Sequence, residues 1–224
     1  MKRSVENWFG AWRNAAFRNQ FLVSIVALPV VVVIMRIYLD HVEMRSGVVV
    51  PDPLLTIFPG VDLNWVIFAL LYSGILLGFV SLFFYPFSFL LTIRAFAVMA
   101  LLRIVSLYLV PLDPAAGSIP LADPIVHVPA LHFTGARSLF FCWETATMAL
   151  LAMTARWRDM KIIFAIAALV ISVLILFQRA QYSIDIVAAP CFAYAAFGVA
   201  KFITVRDIGK AITGKMGERA APPP

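Results

Sequence analysis

Six apolar stretches dominate this sequence, at residues 21–37, 65–82, 89–110, 139–153, 162–177 and 184–202. A helix needs about 20 mostly apolar residues to cross about 30 Å of hydrocarbon. Within a few residues at each end, all six qualify. The chain is 62% apolar and 13% charged, where a soluble domain carries about 45–50% and about 25%. That excludes a soluble globular enzyme, a disordered chain and a nucleic-acid-binding module. The fold class expected is an all-α integral membrane protein: a six-transmembrane-helix bundle in one domain, residues 21–204, without internal repeats. Cys142 and Cys191 both fall in apolar runs and are too few for a disulfide framework or a zinc site.

Residues 1–20 place Val5, Trp8, Phe9, Trp12 and Ala16 at helical spacing, among Lys2, Arg3, Arg13 and Arg18. This pattern suits an amphipathic helix lying in the membrane interface, the plainer reading being a frayed basic flank. Net charge is +6, and in a membrane chain the basic residues report orientation first. The basic residues of 1–20, of 156–161 and of a basic tail at 205–224 share one side of a six-span arrangement. Both termini are therefore expected in the cytoplasm, and the short loops suit a bacterial inner membrane. The other side collects two polar connections, 38–64 and 111–138. The second is rich in proline and carries His127 and His132.

Charges in hydrocarbon are costly, so those in spans face the bundle and have a partner or a task. Arg94, near the inner end of the third span, is expected to snorkel. Arg103 lies about 10 Å below the outer end of that span at about 1.5 Å per residue. Glu144 stands one to two turns into the fourth span, and Gln181 and Asp185 open the sixth. These four share one depth. Either Arg103 and Glu144 neutralise each other while Asp185 caps its helix, or the group lines a polar pocket that admits a lipid headgroup. His127 and His132 are five apart in a proline-rich loop, with no third ligand at fixed spacing, so no metal site is expected. Gly74 and Gly78 form a Gly-x-x-x-Gly, expected to pack against a sister helix rather than another protein.

Four stretches resemble the sphingomyelin synthases, in the phosphatidic acid phosphatase type 2 superfamily. The run Arg94-Ala-Phe-Ala-Val-Met-Ala-Leu-Leu-Arg103, continuing through Tyr108 to Pro114, is similar to their third-span motif. Val50-Pro51-Asp52-Pro53 resembles their Pro-Leu-Pro-Asp. Cys142-Trp143-Glu144-Thr145 with its flanks resembles Phe-Ser-Gly-His-Thr, and Gln181-Tyr182-Ser183-Ile184-Asp185 resembles His-Tyr-Thr-Ile-Asp. The likeness covers roughly residues 21–200. It implies a six-helix bundle, a headgroup site touching Arg103, Tyr108, Tyr182 and Asp185, and a catalytic trio of two histidines and an aspartate. Here Gln181 takes the attacking position and Glu144 the acid position. In another register, Phe133-Thr134-Gly135-Ala136 covers Phe-Ser-Gly-His, and that histidine is lost as well. Asp185 alone is retained.

An amide has no ring nitrogen to form a phospho-enzyme, and a guanidinium near Glu144 would strip the proton that a general acid needs. The expected function is a catalytically degenerate, lipid-binding or accessory subunit, without a cofactor, whose partners are membrane lipids and other integral membrane subunits. The alternative is an active lipid phosphotransferase or phosphatase using Glu144, Asp185 and a loop histidine, His127 or His132. A transporter or channel has little support, since no broken helices recur in two matching halves.

Overall fold

The computed structural model describes residues 2–123, 137 and 139–220, and for 2–6 and 207–220 the backbone alone. Regular structure among the described residues is helical, apart from an isolated parallel bridge between Val48 and Leu112. Among the described residues, five helices are long and apolar enough to cross a membrane: α2 (Ala15–Met44), α4 (Asn64–Phe83), α5 (Pro86–Leu109), α7 (Arg158–Gln178) and the Ser183–Arg206 part of α8 (Ser183–Ala220). The remaining helices are α1 (Lys2–Arg13), α3 (Pro53–Ile57) and α6 (Trp143–Thr154).

The sequence expected a fourth span at 139–153. The helix there begins only at Trp143 and has 12 residues, about 18 Å at about 1.5 Å per residue, short of a full crossing. Its backbone explains the late start. Phe140 has a φ of 102°, outside the helical region. The Phe141 carbonyl accepts from Arg103 at 2.7 Å and the Cys142 N–H donates to the Asp185 carbonyl at 3.1 Å. These groups are committed to neighbouring helices before α6 begins. From Glu144 through Leu151 every residue of α6 is buried, as expected of a helix enclosed by others. It packs on α7 and α8, with α4 and α5 completing its surroundings.

Gly74 and Gly78 provide the fit between α4 and α6. A β-carbon at Gly74 would meet Met148 Sδ at 2.6 Å, and one at Gly78 would meet Leu151 Cδ2 at 2.8 Å. The glycine pair thus faces a sister helix of the same chain, as its sequence suggested.

The two ends of the bundle differ. At the turn end, short connections join α4 to α5 and α6 to α7, and Trp157 Nε1 donates to Tyr85 Oη at 3.0 Å across them. There Asn14 separates α1 from α2 by accepting from the Ala16 N–H at 3.0 Å, an N-cap. The single 1–20 helix of the sequence reading is thus divided at Asn14, and α2 already begins at Ala15. Trp8 of α1 donates to the Phe83 carbonyl at 2.7 Å and packs on Phe21 and Phe89, while Phe9 is exposed. Arg94 does not simply reach for water. It donates to Ser24 Oγ at 3.0 Å and Thr204 Oγ1 at 3.1 Å, joining α2, α5 and α8.

At the loop end, residues between α2 and α4 meet the described residues between α5 and α6. Arg137 holds Asp113 at 2.7 Å and donates to the Glu43 carbonyl at 2.6 Å. Gly47 lies against the Leu112–Asp113 backbone, where a β-carbon would come within 2.6 Å of the Leu112 carbonyl carbon. Gln178, fully buried at the end of α7, accepts from the Leu63 N–H at 3.0 Å and donates to Asn64 Oδ1 at 2.8 Å.

Candidate functional site

A buried polar group lies where α5, the start of α6 and the start of α8 meet. Arg103 is 5% exposed on α5. Its Nη1 donates to the Phe141 carbonyl, and its guanidinium carbon sits 5.3 Å from the Phe141 ring centroid and 5.8 Å from that of Trp143. Aromatic faces at that range attract a cation. Glu144 and Asp185 both act on it electrostatically.

Glu144 lies in the first turn of α6, where a carboxylate suits the positive end of the helix. Cys142 is the N-cap: its Sγ accepts from the Thr145 N–H at 3.4 Å. The same sulfur lies 3.4 Å from Glu144 Oε2 and 3.2 Å from Thr145 Oγ1, so its one proton serves one oxygen or the other. Thr145 Oγ1 reaches Ser172 Oγ on α7 at 3.0 Å.

Asp185 is fully buried. Its Oδ2 accepts from the Tyr182 N–H at 3.1 Å, fixing the turn that leads into α8, and the Phe140 N–H also acts on this carboxylate. Among the described residues its Oδ1 has no hydrogen-bond partner, nor has Oε1 of Gln181, which is 5% exposed. Buried polar atoms nearly always have a partner, so both oxygens need an explanation.

The structure therefore brings Glu144 and Asp185 within electrostatic reach of Arg103 and buries Gln181 one turn before Asp185. Tyr108 does not join them, being 71% exposed on α5. Tyr182 is buried close by with its hydroxyl already engaged, donating to the Asp113 carbonyl at 2.8 Å and accepting from the Val50 N–H at 3.2 Å. Burial holds that hydroxyl above its ordinary pKa. His127 and His132 lie outside the described residues, as does the alternative register at 133–136.

Sequence reading missed the part played by Asp52. Its Oδ1 caps α3 at the Leu54 N–H, 3.0 Å away, while Oδ2 accepts from the Ser183 N–H of α8 at 2.7 Å. Burial pushes this carboxyl up, but the hydrogen bonds from Ser183, Leu54 and Leu55 together hold it below its ordinary value. Asp52 also acts on Asp185 through its charge. The Pro51-Asp52-Pro53 pattern gave an extended path, but a cap on a helix 131 residues later has no local signal.

Chemically, the arrangement offers one guanidinium, several carboxyls and an amide. Among the described residues of this group there is no imidazole. Comparison with protein-family models, with curated proteins and with solved structures gave no match.

Proposed function

We propose that this chain is a sphingomyelin-synthase-like membrane protein without the ancestral chemistry, serving as a lipid-binding or accessory subunit of a membrane complex. The observation that carries the proposal is Gln181. At the position matching the attacking imidazole stands a buried amide, four residues before Asp185. An amide nitrogen, its lone pair delocalised, cannot take a phosphoryl group and release it. Glu144 offers no substitute, since a second anion close to an anionic phosphodiester repels its target. The buried polar level bounded by Arg103, Glu144 and Asp185 is retained, and such groups within a membrane domain point to binding.

The finer topology belongs to the same reading. Extended residues 139–142 together with α6 make the fourth of six passes, and α1 lies along the interface. The turn end, which gathers Arg13, Arg18, Arg156 and Arg158, faces the cytoplasm of a bacterial inner membrane.

The test is a headgroup-transfer and phosphate-release assay on the full chain in nanodiscs, run on wild type, Glu144→Gln and Asp185→Asn. Equal background in all three, with phospholipid retained through purification, is the expected result. Turnover by wild type that either substitution removes would replace this reading with an active phosphotransferase.

A further inference from the structure

The two unpartnered oxygens ask for a particular kind of ligand. Asp185 Oδ1 and Gln181 Oε1 are both acceptors, both within residues at least nine-tenths buried, and neither receives a hydrogen bond from the described residues. Leaving such an atom dry costs about 1–3 kcal/mol. What satisfies it must bring positive charge or donor hydrogens, which a phosphate oxygen cannot do.

The surrounding charge has the same sign requirement. Asp185 feels Arg103 on one side and Asp52 on the other, and Arg103 feels both Glu144 and Asp185. Two carboxyl groups thus act on one guanidinium, and a third, that of Asp52, acts on Asp185. The Tyr182 N–H is taken by Oδ2, and the Phe140 N–H also acts on the Asp185 carboxylate. Among the described residues no three His, Cys, Asp or Glu side chains are grouped to hold a metal ion, which disfavours zinc-type and other multidentate sites. One carboxylate oxygen and one amide oxygen suit a single positive charge.

We infer that the start of α8 forms a seat for a small monovalent cation, held between Asp185 Oδ1 and Gln181 Oε1. The amide that ends the phosphoryl chemistry gives the site a neutral oxygen ligand in place of a nucleophile. The inference goes beyond the lipid-binding reading without depending on it. The cation comes either from water, as sodium or potassium, or from membrane lipid, as the primary ammonium of an ethanolamine headgroup.

The experiment is thermal unfolding of the full chain, because a ligand that binds only the folded state raises its stability with concentration. In nanodiscs of phosphatidylglycerol, sodium and potassium chloride are titrated against N-methylglucamine chloride at constant ionic strength. In a second arm, phosphatidylethanolamine is compared with phosphatidylcholine at fixed salt. Stabilisation by sodium or potassium over N-methylglucamine assigns the aqueous source, and stabilisation by the ethanolamine lipid over the choline lipid assigns the headgroup. In either arm, Asp185→Asn should weaken the response by about tenfold in apparent affinity, corresponding to about 1.4 kcal/mol. Gln181→Glu should strengthen it. Gln181→Lys, which supplies its own tethered ammonium, should unfold independently of the added cation. Unfolding that ignores both the salt cation and the headgroup amine in wild type overturns the seat, as does an undiminished response in folded Asp185→Asn. Turnover in the assay of the preceding section would refute the non-catalytic reading and leave these titrations unaffected.

Discussion

Replacing Gly78 by isoleucine tests how α4 is seated on α6. A β-carbon at 78 would lie 2.8 Å from Leu151 Cδ2 and 3.1 Å from Cδ1, inside the optimum carbon separation of about 3.5–4.0 Å. Leu151 is 3% exposed on a helix enclosed by its neighbours, so its side chain has little room to withdraw. Alanine brings this overlap but also gains about 1 kcal/mol in helix propensity over glycine. Gly78→Ala should therefore remain within about 1 kcal/mol of wild type. Isoleucine pushes further carbon into the same space, and overpacking of this kind costs about 1–3 kcal/mol. A loss of about 2 kcal/mol lowers the melting temperature by roughly 4–8 °C for a chain of this size. Gly198→Ala is the control, since a β-carbon there meets nothing within 4 Å, and it should melt at or slightly above wild type. The assay is heating in detergent micelles followed by size-exclusion chromatography with tryptophan detection. If Gly78→Ile survives heating as well as Gly198→Ala, the glycine pair is not the contact between α4 and α6.

Gly47→Ala should cost about 1–3 kcal/mol, because its β-carbon would strike Leu112 and Asp113 backbone rather than a movable side chain; faster limited proteolysis within residues 45–63 would register it. Tyr182→Phe leaves the Asp113 carbonyl and the Val50 N–H without their shared hydroxyl and should lower stability by about 1–3 kcal/mol in the same thermal assay. Arg103→Met removes the guanidinium near Glu144 and Asp185 and frees the Phe141 carbonyl, a loss of about 3–5 kcal/mol. Adding Glu144→Gln should recover part of that loss, and strict additivity in the double-mutant cycle would argue against the coupling. Because folding lowers the Asp52 pKa below 3.8, its contribution is in full force above that value and disappears as pH falls through the folded one. A melting curve taken down to about pH 3 should show an acid limb in wild type that Asp52→Asn flattens.

The membrane class and the five long helices were legible because apolar runs of crossing length carry their own signature. Gly74 and Gly78 declared a close packing face through spacing alone. The true length of α6 was hidden, since Leu139, Phe140, Phe141 and Cys142 are as apolar as the helix that follows them. Only the partners of their backbone groups, Arg103 and Asp185, keep them extended. The same limit applies to the site. A shared depth for Arg103, Glu144 and Asp185 followed from counting residues along the spans. Counting could not separate exposed Tyr108 from buried Tyr182, nor find that Asp52 and Gln178 fasten loops to distant helix ends. Those contacts join segments whose separation in sequence carries no pattern.

A half-length α6 bears on how the protein is made. Its 12 residues, with a glutamate in the first turn and preceded by unwound backbone, offer lipid a segment with unsatisfied peptide groups, which a bilayer does not tolerate on its own. The flanking spans supply the missing hydrogen bonds, so α5 and α8 must already stand in the membrane before α6 can settle. Biogenesis thus carries an obligatory sequence of events: long helices first, and the short one locked in after the last of them has been synthesised.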